Sequence, residues 1–130
     1  MAKALGLLLG LFLFGAGLAG CSAKPPETPA PAGEGKGLYD RYCLSCHGDE
    51  KGGNLATVPP HNRAGHTWHH PDPDLVRWTL EGRGSAMPGF QGVLSEGQVV
   101  AILDYIKTWW TEEQRAAQAD ITQRYRRAPR

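Results

Sequence analysis

Apolar residues in the last third of the chain recur every three or four positions, the spacing of one helix face. The run is Val99, Ile102, Leu103, Ile106 and Trp110. Ser95 and Gln98 precede it at the spacing of a capping box, with Leu94 and Val99 placed as a hydrophobic staple. The pattern predicts an amphipathic helix that begins just after Ser95.

Two further helices are predicted nearer the amino terminus. One covers residues 34–42. The other starts with Asp72 as its N-cap and Pro73 at its first position, and it stops at Gly82. Because no stretch alternates apolar and polar residues as a strand would, we expect an all-α fold.

The first twenty residues have a different character. Lys3 precedes an apolar run over residues 4–19, which matches a signal-peptide core and is short for a membrane-spanning helix. The run ends in Leu-Ala-Gly-Cys21, which resembles the lipobox of bacterial lipoproteins. The resemblance implies a signal peptide over residues 1–20 and a lipid on the Cys21 thiol. An ordinary cleaved signal or an uncleaved anchor is the alternative.

The rest of the chain divides into three parts. The lipidated cysteine and a proline-rich tether occupy residues 21–33, and one small domain follows over residues 34–110. Residues 111–130 form a basic extension, expected to be partly helical, with Ala117, Ile121 and Tyr125 on one side. Its arginines are suited to an acidic partner or anionic headgroups, although a solvated and partly frayed tail is the simpler interpretation.

Charge excludes one class of partner. The formal net charge is +1, and removal of Lys3 with the leader leaves 13 basic and 13 acidic residues. A net charge of zero gives no support for a nucleic-acid partner, and none is expected.

The chemistry centres on five residues, Cys43-Leu44-Ser45-Cys46-His47. Two thiols three positions apart can reach both vinyl groups of one porphyrin, and His47 can then offer a nitrogen to the iron. A redox disulfide would require a β-α-β context, and a zinc site with His66 and His69 would miss the usual finger spacing. We therefore expect one covalently bound haem c.

A second iron ligand decides between electron transfer and ligand binding. Met87 is the methionine that remains after leader removal, and it precedes Pro88 on a glycine-rich loop. A thioether there would complete a His47/Met87 pair that raises the reduction potential. The alternative sixth ligands are the four other histidines, His61, His66, His69 and His70.

Over residues 34–110 the chain resembles the class I mono-haem cytochrome c family. Besides the haem motif and Met87-Pro88, the resemblance rests on Gly35 and Tyr39 in the first helix and Tyr105 in the last one. It implies a small fold of about three to five helices wrapped around one haem.

The resemblance also implies roles for further residues. A proline carbonyl, from Pro59 or Pro60, would accept a hydrogen bond from His47 and raise its basicity. Tyr39 and Trp78 are expected to line the haem pocket.

Together these features predict an electron carrier, not an enzyme, that exchanges electrons with redox partner proteins and has no small-molecule substrate. It would be lipid-anchored to a bacterial membrane, outside the cytoplasm. Two alternatives remain: a gas- or peroxide-reactive haem protein with a labile Met87, and a metal-handling lipoprotein that uses residues 66–70.

Overall fold

The computed structural model describes residues 33–53 and 56–129. This part of the chain contains five α-helices, one 3₁₀ turn and no strand, which confirms the all-α fold. The helices are α1 (Glu34–Tyr42), α2 (Leu44–His47), α3 (Asp72–Glu81), α4 (Glu96–Lys107) and α5 (Glu112–Arg127), and the 3₁₀ turn is Thr67–His69.

The predicted signal peptide, Cys21 and nearly all of the tether lie outside the described residues. Within the described ranges, no helix is long and apolar enough to cross a bilayer.

Helices α1 and α4 cross at close range. A methyl group on Gly35 would lie 2.0 Å from the carbonyl oxygen of Ala101, so only glycine allows this approach. One turn further along α1, the fully buried Tyr39 ring packs edge-on against Tyr105, at 5.8 Å, and Trp109, at 5.0 Å. The first and fourth helices therefore form one aromatic-filled contact.

The apolar face predicted for α4 is buried along its whole length. Its five positions join residues from α1, α3 and the loop before α4 in one core: Tyr39, Leu75, Val76, Leu94, Val99, Ile102, Leu103, Ile106 and Trp110. The predicted capping box is also present, because Gln98 N donates to Ser95 Oγ and Ser95 N donates to Gln98 Oε1.

The predicted start of α3 is wrong by one residue. Asp72 is the first helical residue, Pro71 precedes it as the N-cap, and no side chain caps the helix. The Asp72 carboxylate instead accepts hydrogen bonds from Lys107 Nζ at 2.9 Å and Gln118 Nε2 at 2.6 Å. The Asp72 amide donates to Thr122 Oγ1. Partners distant in sequence thus replace the local cap.

The carboxy-terminal extension is ordered as a 16-residue helix, and the expectation of a frayed tail is wrong. Of the three apolar residues named for one side of this helix, Ile121 is half-buried. Gln118 and Thr122 are buried, whereas Ala117 and Tyr125 are exposed. Polar side chains face inward here because α5 packs against backbone amides and carbonyls that need hydrogen-bond partners.

Candidate functional site

Of the two thiols of the haem motif, Cys43 lies at the junction between α1 and α2, and Cys46 lies within α2. Cys43 N donates to Tyr39 O, and His47 N donates to Cys43 O, so the motif continues directly from α1. Both cysteines are free thiols; Cys43 is half-buried and Cys46 is exposed. Burial, and then the neighbouring Cys46, raises the pKa of the Cys43 thiol to about 11. That thiol is therefore protonated at neutral pH.

The His47 ring is oriented by a single hydrogen bond. Its Nδ1 lies 2.8 Å from the carbonyl oxygen of Pro59, so Pro59, not Pro60, holds this position. A carbonyl only accepts, so Nδ1 carries the proton and Nε2 presents its lone pair. Burial lowers the pKa of His47 against the opposing effect of this bond, and the ring is neutral at pH 7.

His47 Nε2 makes no hydrogen bond to any residue in the described ranges. A neutral imidazole with an unengaged Nε2, directly after two free thiols, is a donor set that fits a covalently attached haem.

His61 lies against the face of the His47 ring. The two rings stack with centroids 3.9 Å apart and planes at 19°. His61 Nδ1 is 2.9 Å from Thr67 Oγ1. Burial, followed by the charges of His47 and His66, lowers the pKa of His61 to about 3, so the ring is neutral. From the sequence His61 is only one of four alternative iron ligands, and this packing on His47 could not be predicted because no local pattern indicates it.

Tyr39, which was expected to line the haem pocket, belongs to the buried core and is hydrogen-bonded to the residue after His47. Its side chain is fully buried, and its hydroxyl donates to the carbonyl of Gly48 at 2.7 Å. This bond connects the middle of α1 to the residue that follows the histidine.

Met87 lies on the loop between α3 and α4, as predicted, and it is half-buried. The loop folds back on the end of α3, because Arg83 N donates to Met87 O and Phe90 N donates to Thr79 O. Gly82 adopts a φ of +85°, and a methyl group there would lie 2.8 Å from Met87 O. The Met87 backbone is therefore bonded within its own loop, and the loop is tied to α3 just after Met87, at Phe90 and Gln91.

One ring contact connects the Met87 loop to the haem motif. Tyr42, which directly precedes Cys43, packs edge-on against Phe90 with ring centroids 5.8 Å apart. The elements that carry the two expected iron ligands are thus joined through their flanking residues.

Trp78 on α3 is half-buried between His70 and Arg83, contacts that no sequence pattern indicates. His70 packs edge-on at 4.9 Å, and the Arg83 guanidinium lies 4.1 Å above the indole ring. Arg83 belongs to the loop of Met87, so a cation–π contact adds a side-chain link between that loop and α3.

The segment His66–His70 does not assemble a metal site. Trp68 stacks on His69 at 3.6 Å, and the rings of His66 and His70 meet edge-on at 5.6 Å. In the part of the chain that the structure describes, no group of three or more histidine, cysteine, aspartate or glutamate side chains could hold a metal ion. The metal-handling alternative therefore lacks a ligand cluster there.

Comparison with known proteins agrees with the geometry. A curated relative from Azospirillum sp. (strain B510), the cbb3-type cytochrome c oxidase subunit CcoP, is 29% identical over 79 residues. That alignment covers 56% of this chain and 27% of the relative, so the chain spans about a quarter of the relative's length. No solved structure matches the chain.

The family model described as cytochrome c oxidase, cbb3-type, subunit III matches residues 30–106, which is more than half of the chain. The matched residues include the two thiols, His47, Pro59 and Met87. The chain therefore belongs to this family of c-type cytochrome domains, and its cofactor is covalently bound haem c.

Proposed function

We propose that this protein is a membrane-tethered, extracytoplasmic electron-transfer cytochrome c in which His47 and Met87 bind the haem iron. The observation that carries the proposal is the His47 ring. It follows two free thiols, its Nδ1 lies 2.8 Å from Pro59 O, and its Nε2 makes no hydrogen bond among the described residues. Cys43 and Cys46 would form the thioethers to the haem.

The haem iron would supply a one-electron couple, and residues of the chain would set its reduction potential. The Pro59 carbonyl holds the proton on Nδ1 and makes Nε2 a stronger donor, which favours the ferric state. The thioether of Met87 favours the ferrous state. Because the Met87 loop is hydrogen-bonded to α3, its backbone needs little rearrangement when the charge changes.

The packing of the other histidines favours Met87 as the sixth ligand. His61 stacks face to face with His47, so its ring lies beside the proximal ligand and not opposite it. His70 packs on Trp78, and His69 stacks on Trp68. Each of these rings already has a packing role that a move to the iron would disrupt.

Partners and location follow from the family and the leader. The relative's name places that protein in a cytochrome c oxidase, so we propose a redox partner protein within a membrane oxidase complex. Removal of residues 1–20 and lipidation of Cys21 would hold the domain at the membrane surface outside the cytoplasm. Two or more acyl chains suffice for stable anchoring.

Optical spectra of the haem-loaded protein test the ligand pair. We expect low-spin spectra, a weak far-red sulfur-to-iron band in the oxidised form and no response to carbon monoxide. Met87→Ala should abolish the band and open the reduced iron to carbon monoxide, whereas Ser85→Ala, an exposed change on the same loop, should do neither. A carbon monoxide response in the unsubstituted protein would instead favour the gas- or peroxide-reactive alternative.

Cell fractionation tests the anchor. The unsubstituted protein should sediment with membranes and carry the mass of a lipidated Cys21 at its mature amino terminus. Cys21→Ser should release a haem-loaded protein into the soluble extracytoplasmic fraction. Membrane association that survives Cys21→Ser would refute lipidation as the tether.

A further inference from the structure

Helix α5 lies outside the part of the chain that matches the family, since the match ends at residue 106 and α5 begins at residue 112. It nevertheless packs against residues 59–71, here called the proximal segment. That segment begins with Pro59, which orients His47, and contains the 3₁₀ turn Thr67–His69. A helix added beyond the family domain therefore contacts the loop on which the histidine geometry depends.

Two glutamines of α5 donate to backbone carbonyls of the proximal segment. Gln114 Nε2 donates to Arg63 O at 2.9 Å. Gln118 Nε2 lies 3.2 Å from His70 O and 2.6 Å from Asp72 Oδ1. Gln118 is only 2% exposed, and its removal would leave the His70 carbonyl without this donor, whereas Asp72 keeps its bond from Lys107.

A third contact reaches the segment next to Pro59. Trp110, 3% exposed, donates from Nε1 to His61 O at 2.8 Å. The Trp110 backbone is itself held by α5, because Arg115 Nη1 donates to Trp110 O at 2.5 Å. A series of contacts thus runs from Arg115 through Trp110 to His61, whose ring stacks on His47.

We infer that α5 is a positioning element for the haem ligand His47, with Gln118 as its principal positioning residue. By holding the proximal segment at Arg63 and His70 directly, and at His61 through Trp110, α5 would keep the Pro59 carbonyl within hydrogen-bond reach of His47 Nδ1. Loosening the segment weakens that bond, lowers the basicity of Nε2 and destabilises the ferric state, so the reduction potential rises. The inference rests on the proposed ligation by His47.

The test compares two glutamines on one helix in the full, haem-loaded protein. Gln118→Ala removes the buried donor, and Gln123→Ala makes the same chemical change at an exposed position. With the solution held at the midpoint potential of the unsubstituted protein, Gln118→Ala should raise the ferrous-to-ferric ratio about threefold or more. This corresponds to about 28 mV for a one-electron couple. Gln123→Ala should leave the ratio unchanged, and an unchanged ratio in Gln118→Ala overturns the inference.

A third variant separates positioning from general destabilisation. Ser95→Ala removes the α4 cap, whose hydrogen bonds join Ser95 and Gln98, and should lower the unfolding midpoint without changing the ratio. If Ser95→Ala shifts the ratio as much as Gln118→Ala, the effect is not specific to α5 and the inference fails.

Amide hydrogen exchange supplies a readout that does not involve the iron. In Gln118→Ala the backbone amides of residues 61–71 should exchange at least about tenfold faster, whereas those of α1 should be unchanged. Equal acceleration in both regions would overturn the inference. An error in the proposed ligation would instead appear in the spectra of the unsubstituted protein, independently of these variants.

Discussion

Two glycines on α1 offer a stringent test of the α1–α4 contact. Gly35 and Gly37 are two positions apart on the same helix, yet their surroundings are opposite. A Cβ on Gly35 would lie 2.0 Å from the oxygen and 2.6 Å from the carbon of the Ala101 carbonyl, whereas a Cβ on Gly37 meets nothing within 4 Å. Substituting each by alanine therefore separates helix propensity from packing.

The expected magnitudes have opposite signs. Alanine is favoured over glycine inside a helix by about 0.5–1 kcal/mol, so Gly37→Ala should stabilise the protein by about that amount. Gly35→Ala gains the same propensity. However, the atoms that its methyl group meets are backbone, so α1 and α4 must separate. Overpacking of this kind costs about 1–3 kcal/mol or more, and that cost is the expected difference between the two variants.

Denaturant unfolding of both haem-loaded variants, followed by circular dichroism, measures the difference. In thermal unfolding, 1 kcal/mol corresponds to a shift of about 4–8 °C for a domain of this size. Gly37→Ala should have a higher unfolding midpoint than the unsubstituted protein, and Gly35→Ala should have a lower one. A Gly35→Ala variant as stable as Gly37→Ala would mean that α1 and α4 do not approach each other as described.

Three further predictions concern stability. Tyr39→Phe leaves a buried carbonyl without its donor and should cost about 1–3 kcal/mol, whereas Tyr125→Phe, at an exposed hydroxyl, should cost almost nothing in the same denaturant titration. Ser95→Ala and Thr111→Ala each remove a capping-box side chain and should each lower the free energy of unfolding by about 1 kcal/mol, a prediction contradicted by unchanged midpoints. Burial lowers the pKa of His70 below its unfolded value of about 6.5, so the neutral ring favours the folded state and stability is lost as the pH falls below 6.5. His70→Phe should flatten the fall of the unfolding midpoint between pH 7 and pH 5, and an identical slope would rule out this contribution.

Helix α4 and the haem motif could be predicted because their signals are local. The capping box at Ser95 and the apolar face from Val99 onward lie within sixteen residues of chain. The two residues of the capping box are hydrogen-bonded to each other, so the start of the helix does not depend on distant partners. The residues of the motif Cys43–His47 are also consecutive in sequence, so haem attachment could be predicted without knowledge of the fold.

The predictions that were wrong or incomplete concern residues whose hydrogen-bond partners are distant in sequence. Aspartate is a common N-cap residue, but the carboxylate of Asp72 accepts hydrogen bonds from Lys107 and Gln118 instead. Both partners are distant in sequence, so no local pattern could indicate them. In α5 the apolar positions did not reveal that Gln118 and Thr122 would be the buried residues. These two side chains are buried because they pair with the His70 carbonyl and the Asp72 amide, which are distant in sequence. The choice between Pro59 and Pro60 also required the position of the His47 ring.

The contact between Gly35 and Ala101 joins residues 66 positions apart, and this separation bears on how the protein matures. In the proposed export, helix α1 would lack its partner until α4 has been translocated, and long-range contacts of this kind form slowly. During export, Cys43 and Cys46 therefore belong to a chain whose first helix is still unpacked. We expect haem attachment to precede the docking of α4, so that the covalently held cofactor becomes part of the core around which the remaining chain folds.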